Sequence, residues 1–132
     1  MKATLFTDGG ARGNPGPAAI GYVLTIVGQE KILHGEYIGE TTNNQAEYKA
    51  LLEGLKRAHG AGVSEVECFL DSELVVKQLR GEYKVKNGGL QPLVEEVKNL
   101  ARQFTAISFA PVRREKNVLA DTLVNEALDK VV

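Results

Sequence analysis

The chain has little of what would point to several common classes of protein. It contains one cysteine, no tryptophan and only two histidines. A single cysteine, Cys68, excludes an internal disulfide, and its place in an apolar run favours a small buried side chain. No apolar run approaches the roughly 20 residues that a membrane span needs, and the N-terminus lacks the features of a secretory signal. We therefore expect a cytoplasmic protein with no membrane association.

Excess charge of either sign is also missing. The formal net charge is −1 and the isoelectric point is about 6.1, which argues against a protein that holds nucleic acid by bulk positive charge. Metal ions and a few placed contacts remain compatible with this balance. The length of 132 residues and the 43% of hydrophobic residues fit one domain, residues 1–132, with a substantial core.

Hydrophobic periodicity and turn residues predict the element order βββαβααβα. Strands are predicted at 2–8, 18–27, 31–38, 64–70 and 105–110, and helices at 44–59, 72–80, 91–103 and 118–131. Residues 82–89 are predicted to be a loop. A meander followed by alternating helices and strands predicts an α/β fold with a mixed sheet and helices on its faces. Right-handed crossovers would set the fourth and fifth strands parallel to the first.

Four carboxylates stand out by position. Asp8 ends the first predicted strand and Asp71 ends the fourth, so neighbouring strands would bring both to one edge of the sheet. Glu47 shares a helical stripe with apolar residues that should face the sheet, namely Leu51, Leu55 and Ala58. Asp121 likewise shares a stripe with Val124 and Leu128. Two helices and two strand ends therefore direct acidic groups toward one place.

Each acid taken alone also fits a structural role. Asp8 suits a turn, Glu47 would complete a capping box with Asn44, and Asp71 suits a helix N-cap. A negative charge at Asp121 suits the first turn of a helix. Convergence favours the chemical interpretation, because buried carboxylates without a cation repel one another. Hard oxygen ligands suit Mg²⁺ or Mn²⁺, and a pair of such ions about 4 Å apart supports in-line phosphoryl displacement.

The surroundings of these acids resemble the type 1 ribonuclease H family through almost the whole chain. Four blocks occur in the family's order: TDGGARGNPGP at 7–17, TTNNQAEYKAL at 41–51, LDSELVVKQL at 70–79 and REKNVLADTLVNEAL at 114–128. The resemblance implies a ribonuclease H-like fold, a five-stranded mixed sheet with helices on both faces. It also implies metal-dependent endonucleolytic cleavage of the RNA strand of RNA–DNA hybrids, with 3′-hydroxyl and 5′-phosphate products and little sequence specificity.

The resemblance also implies roles for particular residues. The catalytic, metal-binding positions are Asp8, Glu47, Asp71 and Asp121, which would hold two Mg²⁺ or Mn²⁺ ions. Substrate contacts fall to Gly10, Ala11 and Gly13 beside the RNA strand, to Asn14 and Asn43 as RNA readers, and to Thr42 and Asn44 at a phosphate of the DNA strand. Thr42 and Asn44 also fit a plain turn and N-cap.

The sequence departs from many bacterial members of this family at three places. Only GEYKVKNGG fills the interval where those members carry a basic helical handle, so we expect weaker and more salt-sensitive hybrid binding. Contact with the DNA strand and a solvated loop are both open for Tyr83, Lys84 and Lys86. The loop directly before the last acid lacks the histidine that those members have there, and Arg114 or Glu115 is the candidate to substitute for it. Glu73 replaces an amide that contacts RNA in relatives.

Two other functions compete with a hybrid-specific ribonuclease. One is a nuclease or strand-transfer domain that acts on DNA, but the glycine-rich turn and the Asn43–Asn44 pair favour RNA reading. The other is a binding module without catalysis, which would have no need to gather four repelling charges. A monomer is the default for so small a domain.

Overall fold

The computed structural model describes residues 1–131 of the chain, and these form the five strands and four α-helices that the periodicity predicts. The strands are β1 (Lys2–Ala11), β2 (Gly16–Ile26), β3 (Ile32–Thr41), β4 (Glu65–Leu70) and β5 (Ala106–Pro111). The helices are α1 (Asn43–Gly60), α2 (Glu73–Leu79), α3 (Gln91–Ala101) and α4 (Val118–Asp129). A short 3₁₀ helix, Arg114–Lys116, precedes α4 and was not predicted.

The strands form one mixed sheet in the order β3-β2-β1-β4-β5. β1, β2 and β3 are an antiparallel meander, whereas β4 runs parallel to β1 and β5 runs parallel to β4. The expectation that the fourth and fifth strands lie parallel to the first is therefore confirmed. The carboxyl ends of the parallel strands meet at one edge of the sheet, where ligands of such sheets bind.

Helices cover both faces of this sheet. A Cβ on Gly9 would lie 2.2 Å from the carbonyl oxygen of Ala46 in α1, whereas one on Gly10 would point toward Val124 in α4. Since successive residues of a strand face opposite ways, α1 and α4 lie on opposite faces. The larger core lies on the α1 side and includes Leu5, Leu51, Leu55, Val94 and Val97. A smaller cluster joins Ala19 of β2 to Val124 and Leu128 of α4.

The first strand is longer than its sequence predicts, and this is a correction. Asp8 was expected to end β1, followed by a turn at the glycines, but β1 continues through Ala11 paired with Ala18 of β2. Only the parallel pairing with β4 stops before Asp8, at the pair Thr7 and Leu70. Glycine is common in turns, but Gly9 is needed here because any side chain would collide with α1.

The interval between α2 and α3 contains no helix or strand, as predicted. Arg80 to Leu90 link the two helices through turns and irregular backbone, with Tyr83 exposed and the Lys77 ammonium 5.0 Å from its ring centroid. Among residues 1–131 no helix combines the length and the apolar character that a bilayer span requires.

Candidate active site

Asp8 lies at the centre of a cluster of acidic side chains. It stands where β4 ceases to pair with β1, on the face of the sheet that α4 covers, and it is only 6% exposed. Asp8 therefore lies between the end of β4 and two helices, α1 on one face of the sheet and α4 on the other. The other predicted acids approach it from these three directions.

Glu47 reaches the cluster from α1. The helix begins after Thr42, whose hydroxyl accepts a hydrogen bond from the Gln45 amide at 3.2 Å. Glu47 therefore lies beyond the third helical position, where a capping box would need it. Its carboxylate is instead buried, at 8% exposure. Its Oε1 accepts a hydrogen bond from the Gly9 amide at 3.2 Å, and its Oε2 is buried without any partner among the described residues. A buried carboxylate oxygen with no donor is costly unless something outside the protein satisfies it.

Asp71 follows β4 directly and is half-buried. The alternative that it caps α2 is wrong, because Ser72 holds that position and accepts a hydrogen bond from the Val75 amide at 3.3 Å. One carboxylate oxygen each from Asp8, Glu47 and Asp71 lie within 4.8 Å of one another. Such a spacing suits ligands of a shared cation.

Asp121 completes the ring of acids from α4. It lies in the first turn of that helix, outside the tight group of three, but close enough to Asp8 to raise the pKa of that carboxyl. All four acids line one cleft of about 470 Å³. The structure thus brings together every acid that the sequence singled out.

The acids perturb one another strongly. Burial, followed by the charge of Asp71, raises the pKa of Asp8 from 3.8 to about 7. Burial and the neighbouring Asp8 carboxylate raise the pKa of Glu47 well above its ordinary value. Burial also raises the pKa of Asp71, although the Arg114 guanidinium opposes this shift. Without a cation the cluster therefore favours protons, which is expected of oxygen ligands gathered for a metal.

The predicted substrate residues fall in two groups. Gly10, Ala11, Asn43 and Asn44 line the same cleft as the acids. Gly13 and Asn14 form the adjacent turn between β1 and β2, where Gly13 has a φ of +102° that disfavours a side chain. Thr42 is the N-cap of α1, so the alternative that Asn44 caps this helix is wrong, because Asn44 is already inside it.

Hydrogen bonds join the turn to the start of α1. The Asn43 Oδ1 accepts from the Ala11 amide at 2.8 Å, and the Asn14 Oδ1 accepts from the Asn43 amide at 2.9 Å. Both side-chain oxygens are thus used within the protein. The NH₂ groups of Asn14 and Asn43 are the ends that remain for an acceptor on a ligand.

Arg114 and Glu115 differ in their placement. Arg114 lines the acid cleft and a neighbouring pocket of about 550 Å³ together with Asp71 and Glu73. Glu115 lines neither of these two cavities. Of the two auxiliary residues suggested by the sequence, only Arg114 therefore lies beside the acids.

Several residues of this region were not predicted from the sequence. Arg12, Ser72 and Asn125 also line the cleft, and Arg12 is bound to the far end of α4 through Asp129 at 2.6 Å. A basic residue within a glycine-rich turn was a visible signal for Arg12. Asn117, which precedes α4, is almost fully buried, and its spacing of four from Asp121 was a visible signal, because it continues the stripe of Asp121, Val124 and Leu128.

The strand order and the acid-lined edge define an α/β protein of the ribonuclease H-like class. The chain matches the family model described as "Reverse transcriptase-like" over residues 6–127. It is 42% identical to a bifunctional protein of Mycobacterium tuberculosis over 98% of this chain and 36% of that protein. It is 43% identical to ribonuclease HI of Halobacterium salinarum over 97% of this chain and 65% of that protein.

Solved structures agree with these relatives. The crystal structure of RNase H1 from Halobacterium salinarum superposes with a TM-score of 0.94 at 39% identity, covering 99% of this chain and all of that one. LC11-RNase H1, solved in complex with an RNA/DNA hybrid, gives 0.90 at 44% identity over 97% of each chain. The chain therefore belongs to the type 1 ribonuclease H family. It spans 36% of the length of the Mycobacterium tuberculosis protein and 65% of the length of ribonuclease HI of Halobacterium salinarum.

Proposed function

We propose that this protein is a metal-dependent endonuclease that hydrolyses the RNA strand of RNA–DNA hybrids, leaving 3′-hydroxyl and 5′-phosphate ends. The observation that carries the proposal is the cluster itself, in which oxygens of Asp8, Glu47 and Asp71 lie within 4.8 Å and the Glu47 Oε2 has no protein partner. A relative of 44% identity was solved with an RNA/DNA hybrid, which supports this choice of substrate.

The donor set fits two Mg²⁺ or Mn²⁺ ions held by Asp8, Glu47, Asp71 and Asp121. All the donors are hard carboxylate oxygens, which suit these ions better than Zn²⁺. Asp8 is the best placed to serve both ions, since the other three acids all influence its pKa. When bound, the ions would supply a water of lowered pKa and offset the charge on the departing 3′ oxygen.

The protein's own groups would orient the hybrid. We propose that the backbone of Gly10, Ala11 and Gly13 approaches the RNA strand, where a bulky side chain would hold the ribose away. The NH₂ groups of Asn14 and Asn43 would donate to that strand, and Thr42 and Asn44 would hold a phosphate of the DNA strand. None of these contacts reads a base edge, so little sequence specificity is expected.

Arg114 is proposed as the auxiliary residue. Its guanidinium opposes the rise that burial causes in the pKa of Asp71, so it favours the ionised form of that carboxylate. It also borders the cleft, where a permanent cation would offset phosphate charge. Glu115 lines neither cavity beside Asp71 and is not assigned this role.

We further propose one cytoplasmic domain, residues 1–132, that acts as a monomer. All four acids and both asparagines come from a single copy of the chain, so the site needs no second subunit. The lone buried thiol of Cys68 suits a reducing compartment.

The test is cleavage of an end-labelled RNA–DNA hybrid with Mg²⁺, with Mn²⁺ and with chelator. Matched single-stranded RNA and double-stranded DNA are run in parallel, with the variant D8N and the control E96Q, which changes an exposed glutamate of α3. We expect metal-dependent cutting of the RNA strand, lost in D8N and kept in E96Q. Cutting of double-stranded DNA would favour the DNA nuclease instead. Hybrid binding without cutting, unchanged in D8N, would favour a binding module.

A further inference from the structure

Asn117 is the buried polar residue of the α4 side that the proposed chemistry does not use. It is 1% exposed and precedes α4 at the N-cap position. Asparagine is common there because its side chain usually bonds an amide of the first helical turn. Here it makes no such capping bond. Its Nδ2 instead donates to the Thr7 carbonyl oxygen in β1 at 2.8 Å, across 110 residues of sequence.

This bond connects the two elements that carry Asp8 and Asp121. Thr7 directly precedes Asp8 in β1. The Asp121 amide donates to the Asn117 carbonyl oxygen at 3.1 Å, as the first turn of α4 requires. Two hydrogen bonds through Asn117 therefore link the residue before one acid to the backbone of the other.

A second contact sets how closely α4 lies on the sheet. Gly21 of β2 pairs with Asp8 on one side and with Gly35 of β3 on the other. A Cβ on Gly21 would lie 2.5 Å from the Ala120 oxygen, and one on Gly35 would lie 2.7 Å from the Leu123 oxygen. These glycines allow the helix backbone to rest on the strands, but they present no donor or acceptor side chain that would fix its register along β1.

We propose that Asn117 is a positioning residue that fixes the register of α4 against β1 and thereby places the Asp121 carboxylate beside Asp8. The inference rests on the proposed function, because it assigns Asn117 a purpose in building the metal site. A carbonyl oxygen only accepts, so the side chain at this position must carry a donor of the right length. Asparagine meets this need, whereas alanine removes the donor and ionised aspartate replaces it with a second acceptor.

The experiment measures Mn²⁺ binding by calorimetry and hybrid cleavage in wild type, N117A, N117D, D121N and N117A/D121N. V97A is the control, because Val97 is fully buried in α3 on the opposite face and its truncation weakens the core without touching α4. For N117A we expect a Mn²⁺ affinity and a kcat each lower by about tenfold or more, as for other residues that orient metal ligands. The KM for hybrid should stay unchanged. In the D121N background N117A should have little further effect on Mn²⁺ affinity, since coupled residues are not additive.

Two wild-type measurements keep the test independent of how well the variants fold. The Asn117 side-chain NH₂ should be protected from solvent exchange, and its NMR signals should shift when Mg²⁺ is added. A rapidly exchanging NH₂ that ignores Mg²⁺ would overturn the inference, as would an N117A that loses only stability, like V97A, or whose effect adds fully to that of D121N. If wild type neither binds Mn²⁺ nor cuts hybrid, the proposed function itself fails.

Discussion

At the scale of single residues, Asn14 and Asn43 each use the side-chain oxygen within the protein, and the proposed function gives their NH₂ groups to the RNA strand. The Asn43 Oδ1 holds the Ala11 amide, which fixes the end of β1 against the start of α1. The same bond fixes the direction of the Asn43 NH₂ group, because the oxygen and nitrogen of the side-chain amide lie in one plane and rotate together. The same argument applies to Asn14, whose oxygen accepts from the Asn43 amide.

This division of roles predicts the effect of N43D. Aspartate keeps an oxygen for the Ala11 amide, so the fold should survive, but it removes the donor and adds a negative charge near the RNA. We expect KM for hybrid to rise about tenfold, which corresponds to about 1.4 kcal/mol of binding, with kcat changed far less. Steady-state kinetics on a labelled hybrid measures this. N99D, the same charge change on the exposed face of α3, is the control. Equal KM values in N43D and N99D would remove Asn43 from the substrate contacts.

The inward position of the helical acids was predictable, because a carboxylate that shares a helical stripe with apolar residues lies on the buried face of the helix. Glu47 and Asp121 share helical stripes with apolar residues, and both come to the cleft. Asn117 continues the stripe of Asp121 at a spacing of four, but an asparagine before a helix is ordinarily a cap, so its role was not predicted. Its use as a donor to β1 depends on where α4 lies in space, which local sequence does not specify.

At the scale of elements, the packing of α4 on the glycine backbone of β2 and β3, at Gly21 and Gly35, determines the shape of the site. G21A would place a methyl group 2.5 Å from the Ala120 oxygen and 3.0 Å from the Leu123 Cβ, so α4 must move away from β2. We expect a loss of about 1–3 kcal/mol in the free energy of unfolding, as for other overpacked cores. The concentration of metal that gives half-maximal activity should also rise, since Asp121 moves with the helix.

Thermal unfolding and a Mg²⁺ titration of cleavage measure these two effects of G21A. G60A is the matched control, because a Cβ on Gly60 meets nothing within 4 Å and its φ is not positive. That variant should be neutral or slightly stabilising. A G21A protein as stable and active as G60A would show that α4 does not rest on the sheet so closely.

The order and type of every strand and α-helix followed from periodicity, whereas the ends of β1 and β3 and the close approaches did not. Regular amphipathic stripes predicted all four helices to within two residues at every end. The end of β1 was misplaced because glycine carries the same local preference for a turn whether it lies in a turn or under a helix. Gly9 differs only in facing Ala46, a contact 37 positions away in the chain. The 3₁₀ helix at Arg114–Lys116 is too short to leave any periodic signal.

At the scale of the whole molecule, the acid cluster makes stability depend on pH and metal. The pKa of Asp8 is about 7 in the folded protein and near 3.8 when unfolded, so the folded state binds more protons between these values. Stability without metal should therefore fall as pH rises from about 4 to about 7. The contribution from Asp8 is on the order of 4 kcal/mol, at about 1.4 kcal/mol per pKa unit.

Thermal unfolding in chelator across this pH range, in wild type and D8N, isolates the effect of Asp8. D8N carries no titrating group at that position, so its stability should fall less with pH and exceed that of wild type near pH 8. Saturating Mg²⁺ should reduce the slope for wild type, because a bound cation keeps the carboxylates ionised. A wild-type protein whose unfolding in chelator depends on pH no more than that of D8N would contradict the raised pKa.

The charge of the molecule as a whole sets how it meets a polyanion. Sixteen basic residues are balanced by seventeen acidic ones, so long-range attraction to a hybrid is absent and a few local cations must suffice. Lys84 and Lys86 are exposed in the loop between α2 and α3. If they contact phosphates, K84A/K86A should raise KM at low salt, leave kcat unchanged, and reduce the slope of log KM against log KCl by about one per lysine.

K2A/K56A removes the same charge from Lys2, at the opposite end of β1 from Asp8, and from Lys56, late in α1. That control should keep the wild-type slope. Equal slopes in all three proteins would mean that the loop is only solvated and that hybrid binding relies on the metal and on Arg12 and Arg114 in the cleft.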